Sequence, residues 1–223
     1  MLFLLSVAIA PGLALLSFFY LRNDIASEPS KTLFQTFLYG AILTFPLLFL
    51  QFVFEEENFL GHSYLRDVLI SSSLEEFFKW FILLIAIYQH VEFDDPYDGI
   101  LYGASISLGF ATVENILYVF TYGVETAFFR ALLPVSSHAL FGVVMGYYIG
   151  KSKFAMHESK KPLLFLAIFV PLALHVLYNS ILSLKEGWLI FMIPFMLFLW
   201  LLGLSKVKSA HSHALKYKND ILS

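Results

Sequence analysis

Cysteine is absent from this chain, and charged side chains are scarce. Without cysteine the protein forms no disulfides, binds no metal through thiolates and uses no cysteine nucleophile. Charged residues make up only 14% of the 223 residues, against about 25% in ordinary soluble domains. The 14 Lys and Arg are outnumbered by 17 Asp and Glu, so the chain does not resemble a basic nucleic-acid-binding protein. No nucleic-acid partner is therefore expected.

Hydrophobic side chains dominate what remains. They make up 59% of the chain, and phenylalanine alone accounts for 25 residues. This composition excludes a disordered protein, and it exceeds what the interior of a soluble domain of this size can bury. The excess apolar surface requires contact with lipid. Because no polar linker divides the chain, we expect a single integral membrane domain over residues 1–223.

Seven segments are long and apolar enough to cross the membrane as helices of about 20 residues. The sequence therefore predicts an all-α polytopic membrane protein with seven transmembrane helices, followed by a basic tail over residues 206–223. The predicted spans are Met1–Leu21, Thr32–Phe54, Val68–His90, Tyr97–Tyr122, Ala131–Gly150, Pro162–Leu184 and Gly187–Ser205.

The distribution of lysine and arginine predicts the orientation of these spans, because cytoplasmic loops carry the excess of positive charge. Ten basic residues fall on the side of the C-terminus and three on the other side, so the N-terminus is expected outside and the C-terminus in the cytoplasm. The acidic segment 92–98 is then cytoplasmic, and we interpret it as a solvated turn. The ten are Arg22, Lys31, Lys151, Lys153, Lys160, Lys161, Lys206, Lys208, Lys216 and Lys218; the three are Arg66, Arg130 and Lys185.

Small residues recur at every fourth position on two of the predicted spans. Such stripes allow two membrane helices to pack with their backbones in close contact. The stripes are Gly99, Gly103, Ser107 and Ala111 on the fourth span, and His138, Gly142, Gly146 and Gly150 on the fifth.

A few ionisable residues lie inside the predicted spans, where each costs about 2.5–3.5 kcal/mol near the centre. Counted from the outer ends of their helices, the glutamates and histidines among them lie roughly 7–9 residues deep, or about 11–13 Å at 1.5 Å per residue. Because isolated structural residues have no reason to share a depth, we predict one functional site in the outer half of the membrane. The residues are Glu75, Glu76, Lys79, Glu114, His138 and His175, with the amide of Asn179 one turn from His175.

Carboxylates and imidazoles without cysteine suit hydrolysis, with a glutamate as the base that activates water. Lys79 follows Glu75 by four residues, the better spacing for an ion pair, so we expect Glu75 to pair with Lys79. Glu76 is then the base that activates water. A buried ion pair that only stabilises the helix is the alternative interpretation.

A metal is not favoured at this site, because the charge of Lys79 would repel a cation. The same types of side chain nevertheless bind divalent ions such as Zn²⁺, which also activate water. If a metal is present, the expected ligands are Glu76, Glu114, His138 and His175.

The motif Glu75-Glu76-Phe77-Phe78-Lys79, the Phe110-x-x-x-Glu114 pair, His138 and the His175-x-x-x-Asn179 pair each lie on a separate span. Together they resemble the PrsW family of intramembrane proteases, which is related to the CAAX-prenyl endopeptidases and bacteriocin-immunity proteins. The resemblance implies a catalytic core over about residues 66–184. It implies Glu75, Glu76 and His175 as catalytic residues, with Lys79, Glu114, His138 and Asn179 in support.

The resemblance also implies a biological role. A member of this family is expected in the plasma membrane of a Gram-positive bacterium, where it makes the site-1 cut in the extracytoplasmic part of a single-pass anti-sigma factor. Three other functions fit the same polar residues: a prenyl-CAAX-type endopeptidase, whose site would face the cytoplasm, a proton-coupled transporter, and a non-catalytic immunity or scaffold protein that binds a peptide or partner. Transporters are often built from internal repeats, and we find none in this sequence.

Overall fold

The structure is a computed structural model that describes residues 1–23, 29–57, 64–184 and 186–222. Lys185 and Ser223, which belong to the predicted outer loop and the predicted tail, lie outside the described residues. Throughout the described ranges every regular element is helical. The helices are α1 (Leu2–Tyr20), α2 (Ser30–Glu56), α3 (Tyr64–Ile82), α4 (Asp98–Tyr122), α5 (Glu125–Arg130), α6 (Ser136–Lys153), α7 (His157–Leu182) and α8 (Trp188–Leu222), with π-helical turns at Leu83–Ile87 and Ala131–Val135.

The predicted all-α membrane fold is confirmed. The seven predicted spans correspond to α1, α2, α3, α4, α6, α7 and α8. Within the described chain, six of these are long and apolar enough to cross a membrane. The exception is α3, whose apolar sequence is interrupted by Glu75, Glu76 and Lys79. The described span that is least suited to lipid is thus the one that carries more of the predicted polar residues than any other.

Helix α4 lies at the centre of the bundle, where it packs against α1, α2 and α6. Its contact with α6 depends on the predicted stripes of small residues. A Cβ atom added to Gly103 would collide with the backbone carbonyl oxygen of Gly142, and one added to Gly99 would collide with that of Gly146. The prediction that each stripe is a close-packing surface is therefore confirmed, and the structure adds that the two stripes pack against each other.

Helix α6 is preceded by the π-helical turn Ala131–Val135, which contains Pro134. Proline has no backbone N–H to donate, and π-helical turns occur where the regular hydrogen-bond ladder is interrupted. Such turns are frequent near functional sites. Here the turn immediately precedes the first turn of α6, which carries His138.

The interpretation of segment 92–98 as a solvated turn is wrong for its later residues. Asp98 is fully buried and Asp95 is 7% exposed. Oδ2 of Asp98 accepts the backbone N–H groups of Asp94 and Asp95, and Oδ1 of Asp95 accepts those of Tyr97 and Asp98. These carboxylates satisfy N–H groups at the start of α4, a role that composition alone did not reveal.

The basic tail predicted for residues 206–223 continues a membrane helix. Helix α8 runs without a break from Trp188 to Leu222, 35 residues, which at 1.5 Å per residue exceeds the roughly 30 Å hydrocarbon core. Beyond the apolar run, Val207, Ala210 and Ala214 are buried against the bundle. Their spacing places them on one face of the helix, so the tail has a packed side and a basic side.

The packing of α4 against α6 predicts the effect of adding one methyl group. Gly103→Ala should destabilise the protein by about 1–3 kcal/mol, because rigid backbone must move to accommodate the new Cβ. Gly203→Ala on α8 is the matched control, since its Cβ would meet only the end of the flexible Leu140 side chain. Thermal melts in detergent should show a lower melting temperature for Gly103→Ala alone. Equal melting temperatures for the two variants would contradict this account of the helix contact.

Candidate active site

Four helices bring the six predicted ionisable residues into one connected cluster. Each residue in it bonds or lies close to a residue on another helix, and most of the cluster is buried. Glu75 and His175, the first and last residues of the cluster, are about a hundred residues apart in the sequence, so the site forms only when the bundle folds. Helix α3 supplies Glu75, Glu76 and Lys79, α4 supplies Glu114, α6 supplies His138 and α7 supplies His175.

Lys79 lies in the middle of the cluster and is fully buried. Its Nζ atom is 2.9 Å from Oε1 of Glu76 and 3.2 Å from Nδ1 of His138. Oε2 of Glu75 is 3.7 Å away, and the ring centroid of Phe110 is 4.4 Å away. The ammonium therefore has a carboxylate and an imidazole as acceptors and an aromatic ring on a further side.

Glu76 connects α3 to α7. Its Oε1 atom accepts from Lys79 and also lies 2.9 Å from Nδ1 of His175. The imidazole of His175 is packed against Phe141, with the ring centroids 5.1 Å apart. Its other nitrogen, Nε2, faces Oε2 of Glu75 at 3.9 Å. His175 is thus held in orientation by Glu76 and Phe141 while its Nε2 atom faces the other glutamate.

The predicted ion pair between Glu75 and Lys79 is present, but it is the longer of two that Lys79 forms. Glu76 is the closer partner, at 2.9 Å against 3.7 Å for Glu75. The reason is a contact between helices that spacing along α3 does not contain: Nε2 of Gln51 on α2 donates to Oε1 of Glu75 at 3.1 Å. Glu75 is drawn toward α2, whereas Glu76 faces His175.

His138 is held by Glu114 on its far side. Nζ of Lys79 is an ammonium that can only donate, so Nδ1 of His138 accepts and the ring proton is on Nε2. Nε2 then donates to Oε2 of Glu114, 3.2 Å away. Glu114 in turn lies 4.0 Å from Arg130, whose Nε donates to Oδ1 of Asn115 at 3.2 Å. Glu114 therefore fixes the orientation of His138.

Asn179 joins α7 to α3, two of the four helices that carry the cluster. Its Nδ2 atom donates to Oγ of Ser72 at 3.0 Å, one turn from His175 on α7 and one turn from Glu76 on α3. Sequence analysis did not identify Ser72, Gln51 or Arg130 as part of this arrangement. The isolated amide of Gln51 in an apolar span was the one available signal for its role.

The donor set of the cluster fits a divalent metal. Glu75, Glu76, His138 and His175 each offer a ligand atom, and these atoms lie within 4.8 Å of one another. Oε2 of Glu75 and Oε2 of Glu76 are buried without a hydrogen-bond partner, as expected of atoms that receive another ligand. The set differs from the predicted one in containing Glu75 where we expected Glu114. The ammonium of Lys79 lies among the same atoms and would compete with a cation.

Comparisons with known proteins agree with this site. The model of the PrsW family of intramembrane metalloproteases matches residues 28–203. Protease PrsW of Bacillus subtilis is 51% identical over 209 residues, covering 94% of this chain and 96% of the relative. Protease PrsW of Geobacillus kaustophilus is 49% identical, covering 95% and 93%, and that of Clostridioides difficile is 33% identical, covering 91% and 90%. No solved structure shows a significant match.

The metalloprotease description of the family and the donor set of the cluster both favour a metal, contrary to our preference from the sequence. The membrane-spanning helices and relatives from Bacillus and allied genera identify a multi-pass membrane protein of a Gram-positive bacterium. The extent of the family match and the high identity to its members lead to one conclusion: this chain belongs to the PrsW family and is a membrane-embedded peptide hydrolase.

Proposed function

We propose that the buried cluster is the catalytic site and that it makes the site-1 cut in a single-pass anti-sigma factor. The observation that supports catalysis most directly is the convergence of two carboxylates from α3 with one imidazole each from α6 and α7. A helix gains little from burying so many costly groups for packing alone. Hydrolysis of a peptide bond uses each type of group present: a base, a proton donor and a binding site for a Lewis acid.

Glu75 is the better candidate for the base that activates water, which reverses our assignment from the sequence. Oε1 of Glu76 already accepts from Lys79 and lies 2.9 Å from Nδ1 of His175, whereas Oε1 of Glu75 has one neutral donor, the amide of Gln51. Oε2 has no hydrogen-bond partner in either glutamate, although Oε2 of Glu75 lies 3.7 Å from Lys79 and 3.9 Å from His175. Glu75 is also 6% exposed, whereas Glu76 is fully buried. Glu75 therefore has fewer close hydrogen bonds and the better access to water.

The proton balance of the reaction follows from this assignment. Glu75 takes a proton from the attacking water as the new carbon–oxygen bond forms. It then gives that proton to the leaving amine as the carbon–nitrogen bond breaks, so the carboxylate is regenerated. Lys79 holds Glu76 in place throughout, because the two groups form a fully buried ion pair.

The residues best placed to hold a metal are Glu76, His138 and His175, a set of two histidines and one glutamate that is typical of catalytic zinc sites. When bound there, a divalent ion such as Zn²⁺ would polarise the scissile carbonyl and increase the acidity of water. Glu114 would then orient His138 from behind, as carboxylates commonly do for histidine ligands. Glu75 remains the base in this arrangement.

The substrate and the side of the cut are proposed from the resemblance and from charge. The excess of Lys and Arg on the side of the C-terminus supports an N-terminus outside, which places the cluster in the outer half of the membrane. A site at that depth suits cleavage of an extracytoplasmic segment. The prenyl-CAAX alternative needs a site that faces the cytoplasm and is therefore less favoured.

Conservative substitutions of the two glutamates test the proposal. Glu75→Gln should reduce cleavage of an anti-sigma factor substrate by roughly 10²–10⁴-fold, because shape is preserved and the proton acceptor is lost. Its melting temperature in detergent should stay close to that of the wild type. Glu76→Gln should also impair cleavage, but with a loss of about 3–5 kcal/mol in stability, because Lys79 is left buried without its counter-ion. Glu158→Gln, a change at the start of α7, is the control.

Near-normal cleavage by Glu75→Gln would contradict the assignment of the base. Near-normal cleavage by both variants would contradict the proposal that the cluster is catalytic. The thermal melts identify any variant that is inactive because it has unfolded rather than because a catalytic group is missing.

Competition between Lys79 and a metal provides a separate test. Zn²⁺ should bind the purified wild type, and Lys79→Met should bind it more than tenfold more tightly, because a like charge within about 4 Å is removed. Without metal Lys79→Met should melt at a lower temperature, and Zn²⁺ should restore it. Isothermal titration calorimetry measures the affinity for Zn²⁺, and thermal melts measure the melting temperature. Lys206→Met on α8 is the control. Normal cleavage after chelation, or equal affinity for Lys79→Met and the wild type, would contradict metal binding at this site.

A further inference from the structure

The cluster is connected to a groove at the end of α4 through a single side chain. Arg130 lies behind Glu114 and holds Asn115, while its guanidinium carbon is 3.7 Å from the ring centroid of Tyr118. Asn115 is itself fixed to α1 by a 2.7 Å bond from its Nδ2 to the carbonyl oxygen of Ala8. One face of Arg130 is therefore committed to the residues that orient His138, and the other covers an aromatic ring.

We name the cavity on the aromatic side the α4–α5 groove. It has a volume of about 470 Å³, within the roughly 300–1,000 Å³ typical of ligand-binding clefts. The groove lies where α4 ends and α5 leads into α6, so it adjoins the helices that carry Glu114 and His138. Its lining residues are Tyr118, Tyr122, Glu125, Phe129 and Arg130.

The chemistry of this lining fits a polypeptide segment with a large apolar side chain. Three aromatic rings offer flat apolar surface together with two hydroxyl groups, and Glu125 offers an acceptor for a backbone N–H. Tyr122 and Phe129 are 65% and 63% exposed, so their rings are accessible. The positive charge of Arg130 is already engaged by Glu114 and Asn115, which makes an anionic ligand a poor fit.

Two other cavities differ in both place and chemistry. They lie at the opposite end of the bundle, with volumes of about 260 and 580 Å³. Lys151 and Lys216 line the first, and Arg22 and Lys208 line the second. Neither is lined by a residue of the catalytic cluster or by Arg130, so a peptide bound there would have no direct route to the site.

We propose that the α4–α5 groove binds the substrate beside the scissile bond, holding an apolar or aromatic side chain among Tyr118, Tyr122 and Phe129. This inference rests on the proposed function, since it assigns a binding site to that same reaction. Arg130 acts here as a positioning residue, because it forms one wall of the groove and also holds the partner of His138.

Site-specific photo-crosslinking tests occupancy independently of cleavage. The inactive Glu75→Gln protein carries p-benzoylphenylalanine in place of Tyr122, or in place of Tyr217 at the opposite end as the control. A purified single-pass anti-sigma factor in the same detergent is the probe. Crosslinks should form from position 122 and not from position 217. Cleavage by the wild type without a crosslink at position 122 would overturn the proposed binding of the substrate in the α4–α5 groove and leave the proposed function intact.

The remaining outcomes separate the two proposals. A crosslink at position 122 without any cleavage by the wild type would support the groove as a binding site and contradict the proposed function. Crosslinks of equal yield at both positions would overturn the proposal that the α4–α5 groove binds the substrate.

Kinetics on two neighbouring phenylalanines provide a second readout. Phe129→Ala should raise the KM for the substrate at least fivefold with kcat changed less than twofold, because it removes binding surface and leaves the reacting groups in place. Phe128→Ala is the matched control, since Phe128 is equally exposed and does not line the groove. The same KM in both variants, or a lower kcat with unchanged KM in Phe129→Ala, would overturn the proposal.

Discussion

The fully buried ammonium of Lys79 is the group on which the arrangement of the site depends. A lone charge in the membrane interior is costly, so Lys79 requires acceptors from several directions, and Glu76 and His138 supply them at 2.9 and 3.2 Å. Glu76 also bonds His175, and His138 also bonds Glu114. The charge of one side chain thereby fixes the relative positions of four helices.

These contacts require α4 and α6 to approach closely, and the small residues make that approach possible. The glycine stripes bring the two backbones together along Gly99, Gly103, Gly142 and Gly146. At the end of this contact Glu114 meets His138. The same pair of helices therefore provides the close packing at the centre of the bundle and two residues of the cluster at its end.

The sequence was sufficient for the fold and for the convergence of the polar residues, and insufficient for the bonds between them. Apolar runs and the position of polar residues along each span depend on local sequence, so the seven spans and the converging residues could be predicted. Glu76 is the closer partner of Lys79, and Glu75 also accepts from Gln51, which lies on another helix. Asp98 is buried together with the backbone N–H groups that it accepts in the turn before α4. No spacing rule contains either arrangement.

The position of the cut in the substrate is the most direct test of the proposed function. The purified protein would be reconstituted in vesicles with a single-pass anti-sigma factor, and the masses of the products would identify the scissile bond. We predict a cut on the extracytoplasmic side of the substrate, within or next to the outer half of its membrane span, and none with Glu75→Gln. A cut on the cytoplasmic side, or the same products from Glu75→Gln, would contradict it.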